Sequence, residues 1–198
     1  MGGLYIEFIN SPQQWLYSPF RGDSNSGKQL FGYDNRVTIN GKVACSGNIM
    51  TLLNYNDPKN ATMSDYCFSC MFYECAGLTS APELPATTLT DGCYESMFVS
   101  CTRLTSAPEL PATTLAFSCY NGMFHDCTGL TSAPALPATT LTANCYCNMF
   151  SFCTSLTEPP ALPATELAEM CYDSMFMECT SLTSAPALPA TSLANSCY

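Results

Sequence analysis

A 26-residue period governs most of this chain. Cys67, Cys93, Cys119, Cys145, Cys171 and Cys197 recur at that interval, and so do Cys75, Cys101, Cys127, Cys153 and Cys179. Five copies run from Cys67 to Ser196, and twelve of the 26 positions are identical in all five. The unit reads Cys-Tyr-x-x-Met-Phe-x-x-Cys-Thr-x-Leu-Thr-Ser-Ala-Pro-x-Leu-Pro-Ala-Thr-Thr-Leu-x-x-x. Phe68 and Ala76 depart from it in the first copy, Glu158 and Pro159 in the fourth. A unit this short cannot bury its own apolar face, whereas stacked copies can, so the period points to a repeat architecture.

Each copy divides into two halves. Leu89, Cys93, Met97 and Cys101 are spaced four apart, with Tyr94 and Phe98 one residue on. Such a stripe predicts a helix from near Leu89 to near Cys101. Thr87 and Thr88 stand ready to cap it, and Pro85 bars an earlier start. Residues 104–107, Leu-Thr-Ser-Ala, read as a short strand that stops at Pro108, which has no N–H to donate. Residues 108–111, Pro-Glu-Leu-Pro, then return the chain in an extended, polyproline-like conformation. Stacking would place equivalent strands in a parallel sheet with a rise of roughly 4.8 Å per copy. Helices would line the other face at wider spacing and curve the array, strands on the concave side.

The run Met-Phe-x-x-Cys-Thr-x-Leu-Thr-Ser-Ala-Pro-x-Leu-Pro-Ala-Thr-Thr-Leu, from Met97 to Leu115 for example, resembles the BspA-like class of leucine-rich repeat. Residues 46–53, Ser-Gly-Asn-Ile-Met-Thr-Leu-Leu, are similar to the segment that leads into such arrays. The resemblance covers roughly residues 46–198. It implies an α/β leucine-rich-repeat solenoid: five 26-residue copies, each a short parallel strand plus a helix. It also implies a bacterial cell-surface or secreted protein with a part in adhesion, and it brings no catalytic residue.

Residues 1–59 lack the period. Residues 4–9, Leu-Tyr-Ile-Glu-Phe-Ile, read as a strand. Residues 37–44 read as a hairpin about Asn40-Gly41, the preferred two-residue turn. This piece is expected to be a small β-rich cap over the first copy, with the repeat region at 60–198 and a partial sixth copy opening at Cys197. After Cys197-Tyr198 no polar terminal repeat closes the stack, so an exposed last copy is expected to support a homodimer.

Charge narrows the partners. Residues 1–59 hold five basic against four acidic residues, and residues 60–198 hold Arg103 against twelve acids. A repeat region with an excess of eleven negative charges repels phosphate backbones and excludes nucleic acid as a partner. No apolar run approaches the roughly 18 residues of a membrane span, and no basic segment followed by an apolar one marks a signal peptide.

Fourteen cysteines raise the question of metal or disulfides. Cys67, Cys70 and Cys75 have thiolate spacing suited to zinc, but Cys67 and Cys75 are ladder positions that recur in copies without a third cysteine. Only Cys45, Cys70 and Cys147 fall outside the two ladders. A helix would hold Cys93 and Cys101 roughly 12 Å apart, beyond disulfide reach of about 7 Å. Neighbouring helices would pack too far apart, at roughly 8–10 Å, to bridge one copy to the next. The ladders are therefore read as buried thiols acting as small core residues, with no cofactor and no metal. Arg21-Gly22-Asp23 spells an integrin-binding tripeptide, and Asn60-Ala61-Thr62 a glycosylation sequon. Trp15, Tyr17 and Phe20 suit either the core of the cap or an aromatic platform. Stacked Glu83 and Glu109 suggest calcium until Ala135, Ala161 and Ala187 follow in the same slot.

No copy supplies an acid, base or nucleophile that breaks the repeat, and the single His125 lacks a catalytic partner, so the chain is read as a non-enzyme. The expected role is binding or adhesion, toward a protein or glycan at a host or neighbouring-cell surface. The rival is a structural spacer or a subunit of an end-to-end assembly. Sequence variation among copies gathers in the first half, which makes Glu95, Asn121, His125, Asp126, Phe152, Asp173 and Glu178 the candidate binding surface.

Overall fold

The computed structural model describes residues 5–8 and 42–198. Three strands form one sheet in the order β1 (Tyr5–Phe8), β2 (Val43–Ser46), β3 (Leu78–Ser80). β1 and β2 are antiparallel, with Tyr5 opposite Ser46 and Phe8 opposite Val43. β2 and β3 are parallel, with an irregularity between Val43 and Ala44. The strand expected at 4–9 thus forms over Tyr5–Phe8. Val43 and Cys45 are buried while Ala44 and Ser46 are not, the alternation of a strand with one face on a core. The Asn40-Gly41 turn and the first arm of its expected hairpin lie outside the described residues, as do Trp15, Tyr17, Phe20 and Arg21-Gly22-Asp23. A 3₁₀ turn follows at Ile49–Leu52, capped by the Asn48 side chain, which accepts from the Met50 N–H at 2.8 Å. Ile49 N–H donates to Glu83 O, so this lead-in pairs directly with the first copy.

The expected α-helix is absent: the described residues contain none, and the chain there is mostly non-helical. The half of each copy that carries the apolar stripe is instead a train of tight turns. In the second copy the amides of Cys93, Glu95, Met97, Val99 and Cys101 each donate three residues back, to Thr90, Gly92, Tyr94, Ser96 and Phe98. The alternate amides leave the copy altogether. Those of Tyr94, Ser96, Phe98 and Ser100 donate to Cys119, Asn121, Met123 and His125 of the next copy, and Gly92, which closes the first copy, donates to Phe117 of the second, all at 2.8–3.0 Å. Every fourth residue is left-handed: Gly92 (φ 56°), Ser96 (53°) and Ser100 (57°), and likewise Ser118, Gly122 and Asp126. An α-helix uses its interior amides internally and keeps its neighbour roughly 8–10 Å away. The turn train keeps half its amides for the neighbour and brings it within hydrogen-bonding distance.

Two aromatic ladders report the spacing. Phe68, Tyr94, Tyr120, Tyr146, Tyr172 and Tyr198 stack in sequence with ring centroids 5.7–6.0 Å apart. Phe72, Phe98, Phe124, Phe150 and Phe176 stack at 5.4–5.9 Å with planes within 5° of parallel. The core consists of these rows together with Met71, Met97, Met123, Met149 and Met175, the leucine rows and the cysteine ladders.

The proline-bearing half also departs from expectation. Only the first copy has a strand there, β3; later copies touch through isolated parallel bridges such as Ser106 to Ser132 and Thr88 to Thr114. The threonine hydroxyls add to them, with Thr131 and Thr157 Oγ1 donating to Thr105 O and Thr131 O at 3.2 and 3.3 Å. At least two prolines per copy, such as Pro108 and Pro111, supply no N–H, which prevents a continuous ladder. Backbone pairing between copies is therefore concentrated in the turn half.

Candidate binding surface

The seven candidate residues fall on the turn half, in rows set by the repeat. Glu95, Asn121 and Asp173 share one row with Ser69 and Cys147; Asp126, Phe152 and Glu178 share another with Glu74 and Ser100; His125 lies between, in the row of Val99 and Ser151. Stacking places row neighbours in contact. Asn121 Nδ2 donates to Glu95 Oε1 at 3.2 Å, and Ser100 Oγ donates to Asp126 Oδ2 at 2.9 Å. The His125 ring lies 5.3 Å from that of Phe152, tilted by 54°. Burial pushes the Glu95 carboxyl above the usual carboxylate range, opposed by the hydrogen bond from Asn121. Glu178 and Phe152 are exposed, and Glu95, Asn121, His125, Asp126 and Asp173 are half-buried. Asp126, Phe152 and Glu178 are also left-handed residues, so the row shapes the turn as well as facing outward.

The cysteine ladders line the interior. All fourteen thiols are free, and every ladder member is buried. The second ladder has a specific partner. Cys101, Cys127, Cys153 and Cys179 direct their thiols at the carbonyls of Phe72, Phe98, Phe124 and Phe150 in the preceding copy, at 3.0–3.1 Å. Each of those carbonyls also accepts the amide of its own copy's cysteine, as Phe98 O does from Cys101 N, so the thiol fills the second lone pair. Burial pushes the thiols of Cys45, Cys67, Cys93, Cys119 and Cys153 up to about 12. Thiols held protonated in this way are poor nucleophiles and poor metal ligands. Cys70 and Cys147, outside the ladders, sit beside side chains: Ser69 Oγ reaches Cys70 Sγ at 3.6 Å, and Asn148 Nδ2 reaches Cys147 Sγ at 3.1 Å. Among the described residues no group of three or more His, Cys, Asp or Glu side chains is placed to hold a metal.

The opposite half presents a second surface that the reading of sequence variation passed over. Thr87, Thr113, Thr139, Thr165 and Thr191 form an exposed row, one per copy. Beside it run Pro85, Pro137, Pro163 and Pro189, also exposed, with Pro111 half-buried. Open grooves lie between successive proline segments. One, of about 560 Å³, is lined by Pro160, Leu162 and Pro163 against Pro186 and Pro189. Another, of about 330 Å³, is lined by Pro108, Leu110 and Pro111 against Pro134 and Pro137. Glu109 and Glu158 stand at the two grooves. The available signal was invariance at exposed positions: Thr87 and its equivalents are identical in all five copies without serving the buried core.

No helix among the described residues is long and apolar enough to cross a membrane. Comparison with protein-family models, curated proteins and solved structures returned no match.

Proposed function

We propose that the chain is a non-catalytic binding module built on a repeat solenoid, of the kind the BspA-like leucine-rich repeats represent, acting at or outside a bacterial surface toward an extended protein or glycan. The observation that supports it is the repetition of one exposed face. Thr87, Thr113, Thr139, Thr165 and Thr191, flanked by prolines and grooves, offer the same hydroxyl and the same apolar edge five times in register. A ligand with its own repeat can meet several copies at once, and many weak contacts then add as avidity. The threonine hydroxyl both donates and accepts, which suits sugar hydroxyls, and the proline edges suit their apolar faces. The variable turn rows are the alternative contact surface, and substitution separates the two.

The test is binding of fluorescently labelled chain to a glycan array and to intact bacterial and epithelial cells. Thr113→Glu combined with Thr139→Glu changes only exposed side chains, and is expected to abolish binding while leaving the urea midpoint unchanged. Asn121→Ala combined with His125→Ala is expected to leave binding intact. The reverse pattern would move the site to the turn rows. Absence of binding to every surface and glycan would remove the binding role.

A further inference from the structure

One row on the proline-bearing half changes character along the stack. Glu83 and Glu109 hold equivalent positions in the first two copies, and Ala135, Ala161 and Ala187 follow in the same slot. All five side chains are exposed, so the fold itself has no need of a carboxylate there. The first two copies are joined by the parallel bridge of Thr88 to Thr114, which sets equivalent residues about 5 Å apart. Two carboxylates at that spacing repel each other. Neither forms an ion pair with Lys42, Lys59 or Arg103, the lysines and arginine among the described residues. Glu109 also stands at the groove of about 330 Å³ walled by Pro108, Leu110 and Pro111 against Pro134 and Pro137. Charge and apolar surface therefore succeed each other along the stack, two carboxylates first and an apolar cleft next.

We propose that this stretch binds an extended polypeptide segment bearing an arginine, with the guanidinium between Glu83 and Glu109 and the apolar residues that follow it in the proline groove. The inference rests on the binding role proposed above and narrows its ligand to a polypeptide. Charge complementarity selects the occupant. Residues 60–198 hold twelve acids against Arg103, so their field draws cations. A planar guanidinium carries donors on two sides and can meet both carboxylates at once, where an ammonium acts as a point charge. Calcium takes about six to eight oxygen ligands, and among the described residues no group of three or more His, Cys, Asp or Glu side chains is placed to hold a metal. A neutral sugar would leave the repulsion between the two carboxylates uncompensated. Proline next to the arginine pre-sets the extended conformation, so little chain entropy is lost when the segment settles into an open cleft.

The probe is a fluorophore-labelled peptide, Gly-Arg-Pro-Leu-Pro-Gly, titrated into the full chain under reducing conditions and followed by anisotropy. Its counterpart with citrulline for arginine keeps the shape and loses the charge. The citrulline peptide should bind roughly fivefold more weakly, and so should the arginine peptide on a chain carrying Glu83→Gln and Glu109→Gln. Asp65→Asn combined with Glu169→Gln removes the same charge from exposed sites on the turn half, and should change affinity by less than about twofold. The proposal is overturned if the citrulline peptide binds as tightly, or if the two charge-removing pairs weaken binding equally. It is also overturned if the peptide fails to bind while the labelled chain still binds cells or glycans, a result that leaves the binding role standing and removes only this ligand.

Discussion

Gly122 distinguishes the turn train from a helix by the sign of one stability change. Its φ is +59°, and a Cβ built there meets nothing closer than Ser96 Oγ at 3.4 Å, an ordinary contact. Alanine at this site therefore suffers no collision, and only the backbone conformation counts. An L-residue in the left-handed region costs about 1–2 kcal/mol. The smaller entropy of the unfolded alanine chain returns about 0.4–1 kcal/mol. Gly122→Ala should thus destabilise the protein by about 1 kcal/mol. In a helix interior the same change would stabilise by about 0.8–1.0 kcal/mol. Asn148 occupies the equivalent position with φ 54°, and asparagine tolerates this region, so Gly122→Asn should cost less than Gly122→Ala. Urea unfolding at constant m reads the difference as a shift of midpoint. A higher midpoint for Gly122→Ala would refute the turn assignment.

Other expectations follow from burial. Phe124 is fully buried between Phe98 and Phe150, and Phe124→Ala should cost about 3–5 kcal/mol in denaturant melts. His125→Ala, on a half-buried ring, should cost under about 0.5 kcal/mol, and equal costs would place the core on the wrong side of the turns. Thiol reagent should label few of the fourteen cysteines in native protein and nearly all after unfolding without reductant; failure to label unfolded protein would show disulfides. The raised thiols also fix the alkaline limit. With folded values about 12 against 9.0, the native state keeps protons that the unfolded chain releases, so stability is retained below pH 9 and falls as pH rises from there toward 12. Each such thiol should contribute a loss of about 1.4 kcal/mol per pH unit. Replacing Cys119 by Ala should flatten the pH dependence of unfolding by about one proton, and an unchanged slope would contradict the burial account.

The repeat, its register and its core rows were legible because identity at a fixed period is independent of local conformation. Cys, Met, Phe and Leu at invariant positions make up most of the buried core, with exceptions such as Phe176, Leu188 and Leu193 in the fifth copy. The local conformation was misread because turns with one left-handed residue in four give the same spacing as a helical stripe. Leu89, Cys93, Met97 and Cys101 satisfy both. The distinguishing signal lay in the positions between them. Gly92, Gly122, Asp126, Asn144 and Asn148 hold five of the sixteen left-handed turn sites, and glycine, asparagine and aspartate favour that conformation where a solvent-facing helix would favour Ala, Glu or Lys; five more hold serine, and Tyr66, Cys70, Glu74, Phe152, Met170 and Glu178 carry no such signal. Spacing held a second signal. Phenylalanines repeated in every copy can stack ring on ring only if that half advances by the same short step as the strand half, and a row of helices cannot. The uniform threonine and proline face was hidden for another reason: variation marks a surface that differs between copies, whereas a face presented five times is marked by exposed invariance.

The central claim is that alternate amides of each turn half bond to the next copy. Scalar couplings transmitted through hydrogen bonds read donor and acceptor pairs directly in isotopically labelled protein. The fold described here predicts a correlation from the Phe98 amide nitrogen to the Met123 carbonyl carbon, across an N–O distance of 2.9 Å, with equivalents from Ser96 to Asn121 and from Phe124 to Met149. A correlation from Phe98 to Tyr94, four residues back, would restore the helix and contradict the account.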